Sequence, residues 1–438
     1  MIDHRDVLEP RNKRQHSPPE TPEGDSRSPA RRDRDRIIYT SAFRRLVYVT
    51  QVASPDYAHV FHNRLTHSLQ VAQVGRAVAE RLAESQRDLT DALGGIDPDS
   101  VEAACLAHDL GHPPFGHTAE EALNEYSEQE IGGFEGNAQS FRIVTKLAFK
   151  SDKYDGLDLT RATLAATLKY PWLRNENPAN LKKWGAYQSE LEVFTFAREL
   201  GPAEPFKRTV EAELMDWADD VTYSVHDIED FYRAGRIPLH LLAQTQSTRE
   251  RLHFFDDVYR RNSGKARFYS RPELEEAFAN LLAMYWRVEE AYEGTREQRS
   301  LLRFFTSHLI HRFIGGVTID EKTKSLSINA ELRKEVAILK ELTWTYVIEA
   351  PALAMQREGQ KRIIGCLFDV YKAASQTKRN LSLFSPYYRD RLDRTDSEAD
   401  RQRIVVDLIA AMTEPQALET YAQLMGVRPS STLEEIVR

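Results

Sequence analysis

Histidine is concentrated in one stretch. His59, His62, His67, His108, His112 and His117 are six of the thirteen in the chain, and imidazole is both a common metal ligand and the side chain that moves protons near neutral pH. Within that stretch Ala103 to Gly116 reads AACLAHDLGHPPFG, an apolar helical pattern that runs to His108-Asp109 just before Gly111. An aspartate in the last turn of a helix faces the negative end of the macrodipole, a cost on the order of a few tenths of a kcal/mol that a cation there would offset. Adjacent side chains on a helix diverge by about 100°, so His108 and Asp109 can converge only on an ion beside the helix, with the other ligands supplied from elsewhere. The candidates are His67, in the helical run RLTHSLQVAQVGR, and one carboxylate among Asp216, Asp219 and Asp220 in ELMDWADDVTY. Those three acids crowd one helix face at i, i+3 and i+4. They lie among Leu214, Trp217, Val221 and Tyr223, unusual company for a solvated acidic face. Two imidazoles and two carboxylates form a mixed nitrogen and oxygen donor set, suited to Mn, Fe, Co, Ni or Zn and tolerable for Mg with waters completing the shell. A lone His-Asp pair arises by chance or caps helix carbonyls. The convergence of three segments is what gives this one weight, whereas Cys105 reads as core.

The elements that must position these residues are helical. Apolar residues recur every three or four positions from Ile37 almost to the end, as in Leu65, Leu69, Ala72 and Val78, in Phe278, Leu281, Leu282, Tyr285 and Val288, and in Ile404, Val405, Leu408, Ile409 and Met412. Breaks fall at Gly111 to Pro114, Gly201-Pro202, Gly235 to Pro238 and Ser385-Pro386. Only Val317 to Ile328 alternates around a polar turn, which predicts a small hairpin. Residues 1–33 hold almost no large apolar side chains and read as a mobile tail. The expected architecture is an all-α, multi-helix globule with one β-hairpin, divided into a tail (1–33), a core (34–235) and a helical C-terminal region packed on it (236–438).

The chain has 438 residues and ample length for a buried core. Its net charge is −8, so it lacks the global positive field of an obligate nucleic-acid binder. Cys105 and Cys366 are its only cysteines, too few for a disulfide framework or a Cys-based zinc site and in keeping with a reducing compartment. No apolar run is long enough to span a membrane and the N-terminus has no signal-peptide core, so the expected location is cytoplasmic.

Seven segments, in order, resemble the HD-superfamily deoxynucleoside triphosphate triphosphohydrolases, specifically the bacterial dGTPase-like branch. They are RDRDRIIYTSAFRRLVYVTQV (32–52), NRLTHSLQVAQVGR (63–76), HDLGHPPFGHTAEEALN (108–124), GFEGNAQSFRIV (133–144), LKYPW (168–172), DWADDVTYSVHDIED (216–230) and RIVVDLIAAMTEPQALETYAQLMG (403–426). The resemblance implies one divalent metal ion per subunit (Mg, Mn or another transition metal) held by His67, His108, Asp109 and Asp219. The activity it implies is hydrolysis of a dNTP to deoxynucleoside and inorganic triphosphate. The leaving 5′ oxygen needs a proton, and His117 with Glu120 at i, i+3 supplies a donor or relay whose ring the carboxylate orients. By the same resemblance Gln51 and Asp227 hold the sugar 3′-hydroxyl, the Tyr223 ring crowds C2′ against a ribonucleotide, Arg64, Lys169 and Tyr170 meet phosphates, and Asn137 and Gln139 line the cleft.

The stretch ASPDYAHVFH (53–62) and Ala411 depart from the family pattern, in regions tied to base recognition, assembly or regulation. The implied partners are the dNTP substrate, further copies of the chain in a homo-oligomer such as a hexamer, and a dNTP activator, with no membrane. Rival readings are an HD-type nucleotide phosphomonoesterase or phosphodiesterase, and a nucleotide or single-stranded DNA-binding sensor with little turnover. The basic clusters Arg31 to Arg36 and Lys378-Arg379 motivate the sensor reading, with weak single-strand binding; the net charge opposes it.

Overall fold

The computed structural model describes residues 10–16, 24–51, 62–244, 249–263, 269–286 and 290–427. His59, Val288 and all but His62 of the 53–62 stretch lie outside that set.

The principal helices of the N-terminal half are α1 (Pro29–Ile38), α2 (Arg64–Ser85), α3 (Pro98–Ala107), α4 (His117–Ile131), α5 (Gly136–Arg142), α6 (Arg161–Thr167) and α7 (Val210–Arg233). Their starts are written locally. Asn63 and Thr66 form a capping box on α2, Asp97 caps α3 ahead of Pro98, and Thr209 caps α7. α3 packs between α1 and α2, and α7 lies across α2 and α3. The buried faces are Val71, Val74, Val78 and Leu82 of α2, Val101, Ala104 and Cys105 of α3, and Leu214, Trp217, Val221, Val225 and Ile228 of α7. Leu69, counted in the apolar stripe of α2, is exposed.

The boundary expected near residue 33 falls inside α1. Asp33 is fully buried, accepts hydrogen bonds from the Thr160 amide (2.8 Å) and hydroxyl (2.7 Å) at the cap of α6, and pairs with Arg14 at 2.6 Å. The arginines that follow are matched locally, Arg34 with Asp35 and Glu102, and Arg36 with Asp158 and the Leu157 carbonyl.

Beyond α7, helices Arg249–Asn262 and Arg271–Tyr285, α8 (Arg296–Gly315) and α9 (Ala330–Thr343) return to the same core, where Trp217 donates its indole N–H to the Phe313 carbonyl at 3.3 Å. The expected hairpin is present: β1 (Val317–Ile319) pairs antiparallel with β2 (Leu326–Ile328), Val317 opposite Ile328. The last helices, α10 (Pro351–Ser375), α11 (Glu398–Ala410) and α12 (Glu414–Leu424), belong to a second core with α4, built from Leu123, Phe134, Ile364, Phe368, Val405 and Ile409 among others. The described residues between 236 and 427 are therefore divided between two cores. The two meet at a buried ion cluster, in which Arg142 of α5 grips Asp407 of α11 through Nε (2.9 Å) and Nη2 (2.8 Å).

No helix among the described residues is long and apolar enough to cross a membrane. Cys105 is buried and both cysteines are free.

Candidate active site

α3 ends earlier than its apolar pattern implies. Its last residue is Ala107, His108 is the C-cap, and Asp109 sits in the turn that follows. The turn is forced by close approach of α5: a Cβ on Gly111 would stand 2.1 Å from the Gly136 carbonyl oxygen and 2.3 Å from the Ser140 nitrogen. Ser140 completes the seam, its hydroxyl donating to the His108 carbonyl (2.8 Å) and accepting from the Gly111 amide (2.9 Å). His108 and Asp109 thus escape the divergence that a continuing helix would impose.

His67 of α2, His108 and Asp109 place one ligand atom each within 4.8 Å of one another. The Nδ1 of His108 lies 2.6 Å from the Cys105 carbonyl, which accepts its proton, so Nε2 is the ring nitrogen left to face the site. That Nε2 is buried without a hydrogen-bond partner, 3.5 Å from Asp109 Oδ1 and 3.7 Å from Asp219 Oδ1. Asp219 Oδ1 is also 3.1 Å from His67 Nε2. Each carboxylate is held from behind by a cation: Arg64 Nη1 donates to Asp109 Oδ2 at 2.7 Å, and Lys169 Nζ to Asp219 Oδ2 at 3.0 Å. Both acids thereby turn Oδ1 toward the imidazoles. Burial works against both charges, but Arg64 and His108 hold Asp109, and Lys169 and the histidines hold Asp219, well below the usual carboxylate range. His108 is driven the other way: burial opposes its charge, yet Asp109 and Asp219 raise it to about 8. A buried orphaned imidazole nitrogen facing two ionised carboxylates fits a divalent cation, with N and O donors of the kind the sequence implies.

The structure also separates the three aspartates. Asp216 pairs with Lys169 at 2.9 Å and with Arg208, and Asp220 with Lys340 at 2.5 Å, leaving Asp219 as the acid that reaches His67 and His108.

A second group adjoins the first through His112. Its Nδ1 is 3.0 Å from Asp109 Oδ1 and its ring meets the His117 ring edge-on at 5.1 Å. Burial and the neighbouring Arg64 push His112 down to about 4, so it is neutral at pH 7. His117 opens α4, its side chain 70% exposed, and its Nδ1 is 2.7 Å from Glu120 Oε2. Glu120 Oε1 accepts from Lys183 Nζ at 2.8 Å, and Lys183 reaches Glu135 at 3.0 Å. Asn137 bonds to the same Glu135 oxygen at 2.9 Å. One and two turns beyond Asp219 on α7 come Tyr223 and Asp227; the Asp227 Oδ2 is buried and unpartnered, and burial and the nearby Asp230 push its carboxyl well up. Gln51 keeps a buried, unpartnered Oε1. Tyr170 packs on Trp172 at 5.4 Å. Gln139 donates to Asp407 at 3.1 Å, an interhelical bond within the buried ion cluster.

His112, Lys183 and Glu135 had no assigned role in the sequence reading. His112 was visible in the histidine cluster; Lys183 carries no local signal, because its partners lie 63 and 48 positions away.

Two family models match the chain, the HD domain over residues 64–223 and the phosphohydrolase-associated domain over 326–423. A deoxyguanosinetriphosphate triphosphohydrolase-like protein of Streptomyces coelicolor is 39% identical over 430 residues, covering 93% of this chain and 95% of that protein. Proteins of the same name from Corynebacterium glutamicum (34%, covering 89% of each chain) and Bifidobacterium longum (32%, 93% of this chain and 85% of that protein) are also similar. The chain belongs to the deoxyguanosinetriphosphate triphosphohydrolase-like family of HD-domain phosphohydrolases.

Proposed function

We propose that this phosphohydrolase converts a dNTP to its deoxynucleoside and inorganic triphosphate. The observation that carries the reading is the pair of carboxylates, Asp109 and Asp219, each turned toward His67 and His108 by a cation bound to its other oxygen. His67, His108, Asp109 and Asp219 would hold the divalent ion. When bound, that ion polarises the α-phosphoryl group and orients water for attack at phosphorus. Arg64 and Lys169 keep both ligand acids ionised, and the partly exposed Lys169 leaves positive charge beside them for a polyphosphate. The bond broken joins phosphorus to the 5′ oxygen, and the proton that oxygen takes up comes from the His117 side. With Nδ1 given to Glu120, the His117 Nε2 is the atom free to hold and release a proton, and Lys183 keeps Glu120 fixed as its partner. Gln51 and Asp227 offer unpartnered oxygens for the sugar 3′-hydroxyl, and Tyr223 on the same face favours a 2′-deoxy sugar by crowding.

The test is to incubate the chain with each dNTP, singly and mixed, with Mg²⁺ or Mn²⁺, and to separate products by anion exchange. Triphosphate with deoxynucleoside is expected, and turnover only in mixtures would reveal an activator requirement. Orthophosphate or pyrophosphate in its place would overturn the reading.

A further inference from the structure

We propose that Glu414 is a positioning residue for the site: from the first turn of α12 its carboxylate ties down the chain at Thr50 and at Phe115, and so sets where Gln51 and His117 stand relative to the metal-binding side chains. Glu414 is buried. Its Oε1 accepts from the Thr50 amide (2.6 Å) and the Phe115 amide (3.1 Å), and its Oε2 from the Thr50 hydroxyl (2.8 Å). One side chain from the far end of the chain therefore joins two segments that are 65 residues apart in sequence and meet beside the site.

Each segment leads directly to site residues. The Thr50 carbonyl accepts from Arg64 Nε at 3.0 Å, and Arg64 Nη1 goes on to Asp109, so three direct links connect Glu414 to a candidate ligand. Gln51 is the next residue along. On the other side Phe115 has φ of 67° and Gly116 φ of 57°, two successive left-handed residues before His117. That conformation is strained for a phenylalanine and persists only where the surroundings hold it. Glu414 supplies the hydrogen bond at that residue, while the Phe115 ring is buried in the second core. The same junction is gripped from the N-terminal side. Arg45 donates to the Met412 carbonyl (2.9 Å) and to the Leu110 (2.9 Å) and His112 (2.8 Å) carbonyls, so the turn entering α12 and the turn after α3 share one guanidinium. A role in stability alone would need only one of these attachments; Glu414 instead places its acceptors on the two strands of chain that flank the site.

The activity readout rests on the dNTP reading, and amide exchange does not. Glu414→Gln and Thr50→Val are made in the full chain. For each, kcat/KM is measured on a dNTP and on the matching 2′,3′-dideoxynucleotide, together with bound metal and exchange at the Thr50 and Phe115 amides. In Glu414→Gln, metal content is expected to hold, both amides to exchange faster, and kcat/KM to fall about tenfold on the dNTP, the size of one hydrogen bond. The loss on the dideoxynucleotide, which lacks the 3′-hydroxyl, is expected to be much smaller. Thr50→Val removes only the hydroxyl bond and should change both in the same direction by less; should Glu414→Gln not fold, it carries the comparison. Equal losses on both nucleotides with an unchanged pH profile of kcat, the readout for His117, or unchanged amide exchange, would overturn the proposal. A wild-type chain that releases no triphosphate would defeat the dNTP reading, and the two amides would then decide on Glu414 alone.

Discussion

At the scale of single residues, the sharpest distinction lies among three neighbouring aspartates of α7, of which the family resemblance already pointed to Asp219. Asp219 faces His67 and His108, whereas Asp220 pairs with Lys340 on a half-exposed face of α7. Asp219→Ala is therefore expected to lose bound metal and turnover together, and Asp220→Ala to keep both; metal analysis and product assay of the two variants side by side check this. His117 stands apart from the candidate ligands, joined to Asp109 through His112. His117→Ala should retain metal and nucleotide binding while kcat drops by roughly 10² to 10⁴, the range for a removed acid-base group. An unchanged kcat would move proton transfer to another side chain.

At the scale of elements, the site depends on where α3 stops. Gly111 lets α5 approach until its backbone touches the turn, and the Ser140 hydroxyl bridges the gap. In Gly111→Ala the new methyl would meet backbone atoms that cannot rotate away. The expected cost is about 3 kcal/mol, the upper part of the usual overpacking range, measurable as a lower midpoint in urea and accompanied by weaker metal binding as the His108-Asp109 turn is displaced. The end of α3 was misjudged from the sequence because Leu106 to Leu110 continues an apolar pattern; the clash that ends it comes from residues 25 and more positions further on.

At the scale of the whole molecule, the two cores are pinned together by charge. Burial disfavours an ionised Asp407, but Arg142, with Arg391 and Arg403 nearby, holds it down to about 2. A carboxyl lowered on folding contributes stability that is complete above its unfolded value of about 4 and is lost as pH falls toward 2, worth roughly 2 kcal/mol for this group. Asp407→Asn leaves Arg142 buried with Glu190 as its remaining carboxylate, and at neutral pH the expected loss is about 3 kcal/mol. Denaturant unfolding from pH 7 downward should show the gap between wild type and Asp407→Asn steady to about pH 5 and narrowing below it. A gap that widened in acid would contradict the assignment.

Helical periodicity, the hairpin at Val317 to Ile328 and the histidine-rich segments were legible in the sequence, because period, capping and turn chemistry are local properties. So was the kinship carried by seven ordered motifs. What the tertiary structure decided depends on residues distant in the chain. It paired Asp220 with Lys340 while setting Asp219 against His67 and His108, brought Lys183 to Glu120, drew Gln139 to Asp407, tied residues 10–16 and 24–33 to α6 through Asp33, and laid Glu414 across Thr50 and Phe115. A side chain's type and spacing state what it can bind; which partner it meets is set by the packing of helices whose contacts no local pattern encodes.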